Sequence, residues 1–258
     1  MRRILASDQE WPQQLNQLDV PPTQLFIESD ESDLSVLTSK SIAIVGSRNA
    51  TPYGLRVATE FAAALAESGY TIISGGAFGI DAAAHRGALS VGGKTVVVLA
   101  GGVDCPYPMA HSNLFADASK NGALISEHPA GTPSRKHNFL ERNRIIAGLA
   151  FGTLIVEAAF KSGAIRTALD TVKLLRPVMA IPGPISSPLS AGVNRLIAER
   201  VAELVTSVWQ IEEIVGSYGQ TGQDGQNGQL MLGADGMINP CQTQSNQPQI
   251  FGQGLSLL

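Results

Sequence analysis

Between residues 41 and 183, short apolar and β-branched runs alternate with longer stretches of helical period, and Gly or Pro marks the junctions. The runs are SIAIVG (41–46), TIISG (71–75), TVVVLAG (95–101), ALIS (123–126), GTLIVEA (152–158) and PVMAIPG (177–183). Nearly all their side chains are apolar or small, which suits strands covered by helices on both faces. The intervening pattern predicts helices over 53–69, 80–91, 110–121, 139–149, 162–175 and 191–200. Parallel strands need crossovers of this length, so the rhythm predicts a doubly wound α/β sheet, mostly parallel, with helices on both faces. Ligands of such a sheet sit beyond the carboxyl ends of its strands.

The ends of the chain read differently. Residues 1–38 show no sustained period, carry Trp11-Pro12, Pro21-Pro22 and an acidic patch at Asp30, Glu31 and Asp33, and predict an ordered lead-in with one short strand, QLFIE. The main domain is expected over 39–216. From Gly216 the chain becomes GSYGQTGQDGQNGQ and later QTQSNQPQ, with too little apolar surface to offset ordering entropy, so 217–258 is expected to be a disordered tail. Within it, LMLGADGMI (230–238) is a candidate for local docking or partner binding.

Composition narrows the class. With 258 residues, 44% hydrophobic and 16% charged, the chain is neither disordered in bulk nor fibrous. Eighteen Lys and Arg against 22 Asp and Glu give −4, which argues against a cationic coat for indiscriminate duplex binding but leaves room for a local basic groove. Two distant cysteines, Cys105 and Cys241, exclude a disulfide framework and suit a reducing compartment. No run of about 18 uncharged apolar residues occurs, so a cytoplasmic location is expected. His111, His128 and His137 lack metal-ligand spacing, and neither G-x-S-x-G nor strict G-x-G-x-x-G is present, so no metal or cofactor is expected. A Walker A-like match at Gly93-Lys94-Thr95 follows a helix and leads into a strand, the reverse of a phosphate loop.

Candidate chemistry lies in the strand-end turns. Gly46-Ser47-Arg48-Asn49 precedes a helix and reads as an anion site, with an ordinary tight turn as the plainer alternative. In Ser74-Gly75-Gly76-Ala77-Phe78-Gly79-Ile80-Asp81 the glycines can form a nest of N–H donors, Asp81 reads as a helix cap, and His85 follows it by four residues. The loop GGVDCPYP (101–108) holds Asp104, Cys105 and Tyr107, and Cys105 reads as a small half-buried thiol. From Arg135 to Arg144, four cations, Arg135, Lys136, Arg142 and Arg144, stand against Glu141, with Phe139 opening a helix among them and Asn143 beside the last two. Such a mixture can hold a phosphate backbone and stack a base, or form a solvated helix face with Phe139 in the core. Ser162-Gly163 opens another helix as a third phosphate-facing turn, and Glu157, at a strand end, reads as an acid/base group, an Arg partner or a cap.

In this order, IAIVGSR (42–48), PYG (52–54), SGGAFGIDAAAH (74–85), VLAGGVDCPYP (98–108), LISEHPAG (124–131), FLERNRIIAGL (139–149), VEA (156–158), SGAIRTA (162–168) and IPG (181–183) resemble the DNA-processing protein A family, also called Smf. The resemblance covers most of residues 10–205 and implies a Rossmann-like fold that binds single-stranded DNA, forms homodimers and helps load RecA recombinase during natural transformation, without catalytic turnover. By that likeness Gly46, Ser47 and Arg48 hold phosphates, Lys136 reaches the backbone, Phe139 stacks a base, Asn143 and Arg144 complete the pocket, and Ser162 and Gly163 face the same groove. Arg142 joins them on charge and position. Phe78 and Met109 stand where the family usually carries Arg and Lys, so a weaker grip is expected. Counterparts of the helical N-terminal and winged-helix C-terminal modules that many members carry are not expected from this sequence. The competing class is a nucleotide phosphoribohydrolase of the lysine-decarboxylase-like type, loosely echoed by Gly152-Thr153 and Glu157 but without the Pro-Gly-Gly entry to that turn.

Overall fold

The structure, a computed structural model, describes residues 1–224, with side chains through residue 217. In chain order the strands are β1 (Arg2–Leu5), β2 (Gln24–Glu28), β3 (Ser41–Val45), β4 (Thr71–Ser74), β5 (Thr95–Val98), β6 (Gly122–Ser126), β7 (Gly152–Ile155), β8 (Val178–Ala180) and β9 (Glu203–Leu204). The helices are α1 (Pro52–Glu67), α2 (Ile80–Ser90), α3 (Ser112–Lys120), α4 (Lys136–Leu149), α5 (Gly163–Lys173), α6 (Ala191–Ala198) and α7 (Val208–Asp224). The strands form one sheet in the order β1-β2-β6-β5-β4-β3-β7-β8-β9. Strands β3 to β9 run parallel, while β2 joins β6, and β1 joins β2, in antiparallel fashion.

Successive side chains of a strand point to opposite faces, and β3 divides two cores accordingly. Ile42 and Ile44 pack with Ala58 and Leu65 of α1, Ile80 of α2 and Ile211 of α7. Ala43 and Val45 belong to the opposite core, with Ile145 and Leu149 of α4, Ala168 of α5 and Val193 of α6. From β3 the chain steps outward through β4, β5 and β6, then returns to lay β7 along the other side of β3. Because parallel crossovers are right-handed, reversing the direction of travel moves the connecting helices to the other face. The switch point therefore falls between β3 and β7, where Val45 pairs with Ile155, and the loops leaving these strands emerge side by side.

The mostly parallel, doubly wound, Rossmann-like sheet matches the sequence pattern. Five differences stand beside that match. β1 escapes the pattern because Ile4 alone of its four residues is buried, and β9 because both its residues are exposed. The lead-in is built into the sheet through β2, and its Trp11, Leu15 and Leu18 pack in the core that holds α4. Helix α4 starts at Lys136, three residues before Phe139, which sets these two side chains one turn apart on one face. Helix α7, which the sequence pattern does not predict, runs from Val208 past residue 217 to Asp224 and is anchored by buried Ile211 and Val215. The remaining stretch, with LMLGADGMI, lies outside the described residues.

Trp11 is 1% exposed and its indole N–H donates to Asn16 Oδ1 at 3.0 Å. Trp11→Ala is expected to lower the unfolding free energy by about 3–5 kcal/mol, read as a shifted urea midpoint. A loss within about 0.5 kcal/mol, as for ordinary surface sites, would show the lead-in to be dispensable for the fold.

Candidate nucleic-acid interface

A groove of about 790 Å³ opens at the carboxyl ends of the central strands. It is lined by Gly46, Ser47 and Arg48 after β3, Ala77 and Asp81 around the start of α2, Tyr107 after β5, Lys136, Phe139, Arg142 and Asn143 of α4, and Ser162 and Gly163 at the head of α5. Nine of the ten residues singled out from sequence thus meet in one place. Arg144 does not join them.

Close backbone approach shapes the floor. The Ser47 N–H donates to the Glu157 carbonyl at 2.6 Å, and a side chain at Gly46 would strike that carbonyl and Ile80. Ile80 N–H donates to the Ser47 carbonyl at 3.1 Å, and Gly79, at φ 77°, allows this because a Cβ there would collide with the Ser47 and Arg48 carbonyls. The buried Glu157 carboxylate accepts from the Thr51 N–H at 2.9 Å and the Thr51 hydroxyl at 2.6 Å. Thr51 in turn caps α1 by accepting from the Gly54 N–H at 3.1 Å. Glu157 takes none of the three roles read from the sequence directly: Thr51 is the cap, and the Glu157 carboxylate holds Thr51 in place. Neither carboxylate oxygen of Glu157 is left facing the groove as an acid or base.

Two cations of the walls, Arg48 and Lys136, are exposed and take part in none of the ion pairs among the described residues, although the buried Asp81 carboxyl also lines the groove. The Arg48 guanidinium lies 5.0 Å from the centre of the Phe139 ring, and Tyr107 meets the same ring edge-on at 5.8 Å. Helices α4 and α5 both begin at the groove without side-chain caps, so their first N–H groups are available to an anion. The Ser162 hydroxyl, buried at the head of α5, has no hydrogen-bond partner among the described residues. Asn143 Nδ2 donates to the Gly163 carbonyl at 3.2 Å and ties the middle of α4 to the head of α5.

Two arginines differ from their sequence reading. Arg144 turns away and forms a two-pronged pair with Glu127 at 2.7 and 2.9 Å, while its Nε donates to the Val20 carbonyl at 2.9 Å. The count of four cations against Glu141 leaves out Glu127, which the fold brings alongside. Arg142 is buried beneath the groove, where one terminal nitrogen donates to the carbonyls of Gly75, at 2.7 Å, and of Val98. Burial draws its pKa down to about 10, so it stays charged at neutral pH. Gly75 is small because a Cβ would collide with this guanidinium.

Asp81 and His85 do not serve each other. Asp81 accepts from the Ala77 N–H at 3.4 Å, and burial pushes its carboxyl above the usual range against the pull of Arg142 and Arg48. His85 bonds through Nδ1 to the Thr95 hydroxyl at 2.7 Å, and burial lowers its pKa to about 3, so the ring is neutral. Cys105 is exposed rather than half-buried. Among the described residues no group of three His, Cys, Asp or Glu could hold a metal ion, and no helix is long and apolar enough to cross a membrane. Sequence reasoning missed Tyr107 and Asp81 as groove residues. The Tyr-Pro pair of the β5 loop was the available signal, but its ring meets Phe139 only through the fold.

The fold is that of the Rossmann-like α/β proteins, and comparison with known proteins narrows the class. The family model of DNA recombination-mediator protein A matches residues 2–216, and the chain belongs to that family. It is 46% identical over 187 residues to a putative DNA processing protein DprA of Mycobacterium tuberculosis, covering 72% of this chain and 48% of that protein. It is 42% identical over 211 residues to protein Smf of Escherichia coli, covering 81% and 55%. The chain thus spans about half the length of these curated relatives. DNA processing protein A of Streptococcus pneumoniae superposes with a TM-score of 0.78 at 36% identity, covering 82% of this chain and 73% of that one. The Helicobacter pylori protein, described by its single-stranded DNA binding mode, superposes at 0.73 with 26% identity, covering 87% and 97%.

Two measurements test this geometry. Arg142→Ala leaves two strand-end carbonyls unpaired and is expected to lower stability by about 3–5 kcal/mol, as for breaking other buried charge networks, whereas the exposed Lys136→Ala should stay within about 0.5 kcal/mol. Equal melting curves for the two variants would overturn the structural role of Arg142. Folded His85 holds a proton less tightly than the unfolded chain, so the unfolded state takes up more protons between about pH 6.5 and pH 3. Stability falls as pH falls through that window, and NMR should show the His85 ring neutral from about pH 8 to pH 5. A titration midpoint near 6.5 would contradict it.

Proposed function

We propose that this chain grips single-stranded DNA in the switch-point groove without breaking a bond, and delivers it as a homodimer to RecA recombinase in DNA recombination and natural transformation in the cytoplasm. The observation that carries this reading is the convergence of Arg48, Lys136 and Phe139 on one groove, with both cations unpaired. Arg48, Lys136 and the uncapped N-terminus of α5 supply donors for phosphates, and Phe139 supplies a face for a base. Ser162, Gly163, Gly46 and Ser47 line the path, while Arg142 and Asn143 act behind it as positioning residues. Arg144 drops out of direct contact because Glu127 neutralises it.

Membership of a recombination-mediator family supports the transfer to a recombinase. The short groove supports dimerisation, since two linked sites bind one strand more tightly than either alone. The competing phosphoribohydrolase reading is not favoured, because the Glu157 carboxylate is spent on holding Thr51, the N-cap of α1.

Fluorescence anisotropy with an oligonucleotide of about 20 nucleotides is expected to show micromolar or tighter binding that weakens with salt. Arg48→Ala and Lys136→Ala should each weaken it about tenfold and reduce the log–log salt slope by about 0.7 per lost phosphate contact. Salt-insensitive binding, or both variants behaving as the parent, would count against the groove. Incubation with nucleoside monophosphates is expected to release no free base, and release that depends on Glu157 would restore the enzymatic reading.

A further inference from the structure

The groove does not end at Phe139. Its rim continues onto the loops after β5 and β4, where Tyr107 is 51% exposed, Met109 82% and Phe78 46%. Tyr107 and Ala77, the neighbour of Phe78, both line the groove, so the rim is continuous with it. The rings are braced rather than loose. Phe78 meets the buried His111 ring edge-on at 4.7 Å, His111 Nδ1 bonds the Gly76 carbonyl at 3.0 Å, and Phe115 backs His111 at 6.0 Å. Tyr107 is held against Phe139, and its loop is tied down by Asp104, which accepts twice from the Gly131 N–H at 2.9 and 3.0 Å.

Neither loop, 74–81 or 101–111, contains a Lys or Arg. These two loops therefore offer braced π faces and no cation of their own, while Arg86 of α2 shares a pocket with Ala110 and His111 on that side. We infer that Phe78 and Tyr107, flanked by Met109, form a second stacking platform that takes unpaired bases on the same strand beyond the nucleotide at Phe139. This inference rests on the single-strand reading of the groove and adds what the strand's next bases meet. Stacking on a fixed ring is tolerant of base identity, so the platform extends the site without adding sequence preference.

The test is the paired change Phe78→Leu with Tyr107→Leu, which keeps apolar volume and removes the π faces, set against Phe78→Trp with Tyr107→Trp, which keeps them. Anisotropy with a mixed-sequence oligonucleotide of about 20 nucleotides is expected to show about a tenfold weakening for the Leu pair, an unchanged salt slope, and parent-like affinity for the Trp pair. An oligonucleotide with contiguous abasic sites should bind the parent about tenfold more weakly and distinguish little between parent and Leu pair. Parent-like binding by a folded Leu pair, while Arg48→Ala and Lys136→Ala weaken binding, overturns the platform and leaves the groove standing. If those two variants also bind as the parent does, the groove reading fails as well. A changed oligomeric state in the Leu pair would make the rim a protein contact and overturn the platform.

Discussion

Removing a guanidinium from water costs several kcal/mol unless acceptors replace the lost hydration, and Arg142 finds its acceptors where β4 and β5 end. Carbonyls at the carboxyl end of a parallel strand have no further ladder partner, so they are natural acceptors for a buried donor. Their partner arrives on α4, the helix that begins the return of the chain from β6 to β7. This fixes α4 by its middle, over the strand ends, and so decides where its first turns lie. Lys136 and Phe139 then project over the loop after β3, and Asn143 reaches the head of α5. A helix held only by its apolar face could slide or rotate with little change in contacts, but one held by a buried charge has a single register.

The same economy separates structural from available charge. Arg142 is committed to carbonyls, Arg144 to Glu127 and Glu157 to Thr51, whereas Arg48 and Lys136 stay unpaired in a protein whose net charge is −4. Net charge governs long-range behaviour, while a groove with low-dielectric walls focuses the field of the few cations inside it. The acidic exterior therefore does not oppose a local anion site.

The parallel core was legible because strands covered on both faces are nearly all apolar or small, as in β3, β4, β5 and β7, where every residue is buried. Edge strands meet no such demand, which hid β1 and β9, and the Gly- and Gln-rich second half of α7, from residue 216, hid that helix altogether. At the site, glycines and cations at strand ends were readable because they obey local turn geometry. The partners of the arginines were not, since Glu127 lies 17 residues from Arg144 and the Gly75 carbonyl 67 from Arg142. Charge counting along a chain registers the presence of cations, and only the fold decides which of them are already satisfied.

Few cations and several exposed rings also bear on which nucleic acid such a groove suits. Every polynucleotide carries phosphates, so a strongly basic groove gains affinity for duplex and single strand alike. Base faces are different, because in a duplex they are stacked on one another and reaching them costs a few kcal/mol of unstacking. A surface that draws much of its affinity from Phe139, and from rings placed like Tyr107 and Phe78, discriminates against duplex without contacting a single base edge. The unpaired cations of the lining, Arg48 and Lys136, add affinity for either form without setting that ratio, because each phosphate contact raises the binding of both, so the preference for unpaired strands rests on the rings.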